Sequence, residues 1–223
     1  NRSTLDKIQQ TIYDELKYEN ELSLKAENKK FQYLNNCWST MSGLHQSLIS
    51  VFSEYILRNE KDIQDLITLI NDVPRYTNDV LEYTKKQADK NTLQFDYDSV
   101  TQDIQDVINN KADSSITSAL YNAIDALNLD EEKTTSYKAQ VKDAMDTSFF
   151  PSYQAMLDTL TSLQYNVQPL QGLSNYKNGK KYYEVVVENA TSSTDSISTI
   201  KENTQSAINS SITKFQKLYK ANP

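Results

Sequence analysis

Three glycines, one cysteine and one histidine in 223 residues exclude a good deal of chemistry. Average usage would place glycine near 7 %. So few glycines leave little room for tight-turned β-sandwiches or for loops that cradle phosphate. A lone Cys37 forms no intrachain disulfide. A lone His45 rules out an H-E-x-x-H helix, and with one Cys it rules out any zinc site built from several Cys or His ligands within this chain. No apolar run approaches the roughly 20 residues that span a bilayer. Positive charge is also short, with 23 Lys and Arg against 30 Asp and Glu. A net charge of −7 argues against a nucleic-acid binder, which would carry a basic face. Nothing at the N-terminus reads as a signal peptide. The chain opens at Asn1 and stops at Asn222-Pro223, and is expected to be a piece of something larger.

What is present is helical. Apolar residues recur every three or four positions almost throughout. Leu5, Ile8, Ile12 and Leu16 mark a first helix, and Leu44, Leu48, Val51, Phe52 and Tyr55 a second, with a polar loop over 37–43 between them. Asn59 is expected to cap a third, carrying Ile63, Leu66, Ile67 and Ile70. Pro74 donates no backbone hydrogen bond, so it is expected to start a new helix that runs to about Lys90. Val100 to Ile108 and Ile116 to Leu127 give two short helices. Asp130 is expected to cap the longest one, in which Tyr137, Val141, Met145, Phe149, Tyr153, Met156, Leu160 and Leu163 recur and Pro151 makes a kink. Residues 165–181 hold Pro169, Gly172 and Gly179 and read as a linker. Residues 182–188 (Tyr-Tyr-Glu-Val-Val-Val-Glu) fit a strand or a helix, because contiguous apolar residues have no readable period. A last helix starts near Ser196. The expectation is an all-α or nearly all-α protein: an irregular bundle of about eight helices with a long kinked central helix. Its parts are a helical bundle over 1–164, the linker over 165–181, and a segment over 182–223 packed on the same domain.

Individual residues give few chemical leads. A general base at His45 would need a nucleophile and an orienting acid, and no such set can be placed. Cys37 reads as a reduced structural thiol. Asp62 with Asp65, and Asp103 with Asp106, stand three apart on helical faces and read as solvated. Most of the 15 tyrosines fall on apolar faces and are expected in the core. Tyr182 and Tyr183 are the ones expected at the surface.

Several stretches, in order, carry a family resemblance. Ser42-Gly43-Leu44-His45-Gln46 is followed by Glu54-Tyr55, Asp62-Ile63, Leu69 to Tyr76 (Leu-Ile-Asn-Asp-Val-Pro-Arg-Tyr) and Glu82 to Gln87. Then come Pro151-Ser152-Tyr153-Gln154 with Leu157 and Leu160, Asn178 to Glu184 (Asn-Gly-Lys-Lys-Tyr-Tyr-Glu), and a Thr191 to Asp195 turn. Together these resemble the N-terminal part of the bacterial domain-of-unknown-function 885 family. The resemblance covers roughly residues 10 to 215. It implies a mostly helical fold and a parent resembling a zinc peptidase, with an H-E-x-x-H helix in its C-terminal half. It also implies a bacterial lipoprotein or secreted protein, hence an extracytoplasmic, lipid-anchored or secreted location.

No zinc ligand transfers to this chain, so no catalytic residue and no metal site are assigned. No cofactor is expected in it, although zinc is possible in the parent. The function expected is a non-catalytic helical wall beside a substrate groove, with Gly43, His45, Gly179, Tyr182 and Tyr183 as groove candidates. Its expected partners are the C-terminal half of its own parent and a peptide substrate, with no nucleic acid. The alternative is a stand-alone extracellular binding or sensor module with no enzymatic role.

Overall fold

The computed structural model describes residues 1–221. They form nine α-helices: α1 (Lys7–Ala26), α2 (Leu44–Ser53), α3 (Glu60–Asp89), α4 (Tyr97–Asn109), α5 (Ser115–Asp125), α6 (Glu131–Ala144), α7 (Phe150–Ser162), α8 (Gly179–Thr191) and α9 (Ile197–Ala221). A π turn over Met145–Phe149 joins α6 to α7 without a break, so counting those two as one gives eight. Among the described residues there is no strand, only one isolated parallel bridge between Gln94 and Gln168. The fold is all-α. No described helix is long and apolar enough to cross a membrane.

The helix starts follow from short polar side chains that accept the first free backbone N–H groups. Asp6 caps α1 with Gln9 reaching back in a capping box. Asn59 caps α3, Asp96 α4, Ser114 α5 and Asp130 α6. Residues 182–188 are helical: they lie within α8, which Val185 anchors by burial.

One reading changes at a proline. Pro74 does not start a helix; it sits inside α3. Its missing N–H and its ring cost a helix interior about 3 kcal/mol. Ile70, Val73, Thr77 and Leu81 flank it and are all buried. Each large apolar side chain among them contributes roughly 1.5–3 kcal/mol, so packing carries the helix through. Pro151 lies inside the continuous α6–α7 helix, as expected, in the first turn after the π segment. The irregularity lies just before it, where the Phe150 N–H reaches the Met145 carbonyl five residues back.

The chain divides into two compact units. One holds residues 35–171. The other is made from both ends of the described chain, residues 1–34 together with 172–221. The first cut falls inside residues 1–164 and the second inside 165–181. In the 35–171 unit the core runs along α3 (Ile63, Leu66, Ile70, Val73, Leu81, Ala88), with Val100 and Ile104 of α4, Ile116, Leu120 and Ile124 of α5, and Met156 and Leu160 of α7. In the two-ended unit α1 packs on α8. Leu22, Phe31 and Val185 are buried there with Tyr18, Leu34 and Tyr182 around them. Lys25 and Glu188 form an ion pair at 2.7 Å.

Candidate functional site

Gly43 and His45 come together at the start of α2. The loop before it is wound by its own hydrogen bonds. Asn36 Oδ1 accepts from the Trp38 N–H, Ser39 Oγ from Ser42, and the Cys37 carbonyl from Leu44. A Cβ on Gly43 would meet the His45 ring at 2.7 Å and the Ser39 nitrogen at 2.9 Å. The glycine is therefore needed for space, so that the imidazole can lie across the helix entry.

That imidazole has no solvent exposure. It stacks on Trp38 at 6.1 Å between centroids and 21° between planes. Trp38 donates its indole N–H to Thr84 Oγ1 at 2.9 Å, and Thr84 donates to the Val80 carbonyl. Neither ring nitrogen of His45 has a hydrogen-bond partner. Nε2 lies 3.6 Å from Asp103 Oδ2, beyond hydrogen-bond reach, and Gln46 donates to that same oxygen at 3.3 Å. Burial pushes the imidazole below its ordinary value of 6.5, and Asp103 only partly opposes this. His45 is thus a neutral packing group. Burial also raises the Cys37 thiol, which keeps it protonated, and raises the Tyr153 hydroxyl, which acts only as a donor.

Gly179, Tyr182 and Tyr183 belong to the other unit. Asn178 takes the left-handed conformation at φ 64° and turns the chain into α8. Gly179 then passes so close to Leu173 that a Cβ would stand 1.7 Å from the Leu173 carbonyl oxygen. Tyr182, expected at the surface, is half-buried with its ring 5.3 Å from that of Phe31. Tyr183 is 46 % exposed and presents its ring to solvent. The broader expectation of a tyrosine-rich core is corrected too: Tyr153 is the one buried tyrosine among the described residues.

Three of the four paired carboxylates are held by local partners, and Asp103 by Gln46 of α2. Asp62 accepts from the Arg58 N–H and Asp65 pairs with Lys61. Asp106 accepts from Gln102. Among the described residues no group of three or more His, Cys, Asp or Glu could hold a metal ion.

Sequence reasoning missed the cavities on either side of the π turn. One, of about 660 Å³, is half-open and lined by Lys111, Ser118, Tyr121, Lys142, Asp146 and Phe150. Lys111 and Lys142 both pair with Asp146, at 3.1 and 2.5 Å. The other, of about 260 Å³, lies between Pro74 and Pro151, with Thr77, Thr147 and Ser152 in its wall. The Thr77 hydroxyl is buried there without a hydrogen-bond partner. A signal for the π turn was in the sequence: Val141, Met145, Phe149 and Tyr153 are spaced by three consecutive fours. That is wider than the 3.6 period of an α-helix.

A family model described as a bacterial protein of unknown function (DUF885) matches residues 1–222. No curated protein and no solved structure matches the chain.

Proposed function

Since the chain belongs to the DUF885 family of bacterial proteins, we propose that it is a non-catalytic helical part of a larger zinc-peptidase-like protein and walls one side of a peptide-substrate groove. The observation that carries this reading is the fate of His45. A general base or a metal ligand needs a ring nitrogen that reaches substrate, solvent or ion. The single histidine of this chain instead spends its ring on Trp38 and Gly43, sealed from solvent. The chain offers rigid helices and an exposed aromatic face at Tyr183, which suit a wall that excludes water and positions a peptide. Zinc, in this reading, belongs to the C-terminal half of the parent. An extracytoplasmic, lipid-anchored or secreted location goes with the family resemblance.

The test uses the full-length parent. Zinc content and peptide hydrolysis are measured first. Tyr183→Ala should then raise KM for an extended peptide several-fold with kcat little changed. A parent without zinc or hydrolysis, or a variant with both constants unchanged, defeats the proposal.

A second reading has one observation in its favour. The 660 Å³ cavity lies wholly within the 35–171 unit and falls in the size range of ligand sites. A stand-alone extracellular binding or sensor module would need no other half to complete it. Peptide or small-ligand binding by the 223-residue chain alone, measured by calorimetry and lost in Tyr121→Ala, would favour this reading over the first.

A further inference from the structure

Three departures from regular helix meet at one place in the 35–171 unit. Pro74 sits inside α3, Pro151 sits in the first turn of α7, and the π turn lies just before it. Breaks of this kind are characteristic of functional or strained sites. Here they flank the 260 Å³ pocket. Its rim is exposed (Pro74, Pro151, Ala155) and its floor is buried (Thr77, Leu81, Ser152).

The floor holds an unpaired polar group. Helical threonines in this chain donate to the carbonyl four residues back, as Thr68, Thr84 and Thr147 do. Thr77 does not, although the Val73 carbonyl stands at that spacing. Its hydroxyl has no partner, and the residue is only 1 % exposed. Ser152, also on the floor, gives its hydroxyl to the Ser148 carbonyl at 2.7 Å. Thr77 is therefore the floor hydroxyl that is open to a new partner. Leaving it buried and unpaired costs stability. Bulk water does not reach it, so its partner must be a group that fills the pocket to the floor.

The walls say what that group is attached to. No charged side chain lines the pocket, so an ionised ligand would lose its hydration there without gaining a counter-charge. The two prolines, Leu81 and Ala155 make the walls apolar. The volume exceeds the roughly 150 Å³ in which an apolar protein cavity takes up benzene. It falls short of the roughly 300 Å³ at which pockets for drug-sized ligands begin. One small ring with one substituent fits between those limits. A hydroxyl is the substituent suited to Thr77, because it can accept the threonine proton or donate to the threonine oxygen.

We propose that this pocket binds a small uncharged ring compound carrying one hydroxyl, a phenol or a cyclic alcohol. The ring lies between Pro74 and Pro151, and its hydroxyl pairs with that of Thr77. The site is separate from the 660 Å³ cavity on the other side of the π turn. It does not rest on the groove reading, since neither Tyr183 nor zinc enters it.

The experiment is ligand-observed NMR and calorimetry on the 223-residue chain with phenol and cyclohexanol, and with benzene and benzoate for comparison. Phenol and cyclohexanol should bind saturably with a Kd of about 1 mM, as ligands of that size allow. Benzene, which lacks the hydroxyl, should bind about five- to tenfold more weakly, and benzoate should not bind. Thr77→Val keeps the shape of the side chain and removes its hydroxyl. It should weaken phenol about five- to tenfold, to the level of benzene, and leave benzene unchanged. Ala155→Leu, at the exposed rim, should close the pocket to every ring with helix content unchanged by circular dichroism. Absence of saturable phenol binding at any concentration that leaves the helix content intact overturns the proposal. So does equal affinity for phenol and benzene, benzoate binding as tight as that of phenol, or phenol binding that Thr77→Val leaves unchanged.

Discussion

The Tyr153 hydroxyl donates a 2.5 Å hydrogen bond to the backbone carbonyl of His45, 108 residues away. One side chain thereby ties α7 to the first turn of α2, beneath the Trp38–His45 stack. Tyr153 has no solvent exposure, so its hydroxyl has no water to turn to if the bond is lost. Tyr153→Phe removes the donor and keeps the ring. It should destabilise the 35–171 unit by about 1–1.5 kcal/mol, read as a lower urea midpoint with unchanged slope. A midpoint equal to wild type would mean the bond contributes nothing.

The two buried glycines should differ in cost. At Gly43 a methyl meets a histidine ring, which can shift, as well as the Ser39 backbone. Gly43→Ala should cost about 1–3 kcal/mol. At Gly179 the methyl meets the Leu173 carbonyl at 1.7 Å, and backbone must move. Gly179→Ala should cost more than Gly43→Ala, and its loss of amide-exchange protection should centre on α8 and α1. Equal protection in both variants would contradict this.

Stability should depend on pH through His45. Burial holds its folded value below the unfolded 6.5, so the unfolded chain binds the extra proton first. Above pH 6.5 both states are neutral and this stability is fully present. As pH falls below 6.5 it is lost, at up to about 1.4 kcal/mol per pH unit until the folded ring titrates. Carboxylates lowered by their partners, such as Asp72 and Asp146, act in a separate, more acidic window. His45→Phe should flatten the stability profile between pH 6.5 and 5; an unchanged slope would place its origin elsewhere.

Thr77→Val should stabilise. The Thr77 hydroxyl is buried beside Pro74 with no partner. Replacing it with a methyl removes a desolvation penalty at little change in shape. The gain should be roughly 0.5–1 kcal/mol, seen as a raised Tm in calorimetry. A loss of stability would mean the hydroxyl has a partner in solution.

Helix positions were legible because apolar spacing and capping residues are local properties. Asn59 and Asp130 cap where expected, and α8 falls where the sequence was ambiguous. The reading failed where distant packing decides. Nothing near Pro74 in sequence announces that Ile70 and Leu81 share one core, yet that core carries α3 through the proline. Burial was the other gap: His45 could be placed one residue into a helix, but its contact with Trp38 depends on how a loop folds back. The tyrosines misled for a related reason, since an apolar stripe does not say whether anything covers it. The cavities at the π turn take side chains from α3, α5, α6, the π turn and α7, and a one-dimensional pattern does not bring those together.

The division of the chain also bears on its synthesis. α1 finds its partner α8 only after about 150 further residues have been made, from Ala26 to Gly179. At roughly 5–20 residues per second, the ribosome holds α1 unpaired for roughly ten to thirty seconds. The 35–171 unit is complete before α8 emerges and can fold first. During that interval Leu22 and Phe31, which Val185 later covers, stand open to chaperones and to neighbouring nascent chains. The two-ended unit is therefore the last to fold and the first to suffer from truncation at either end.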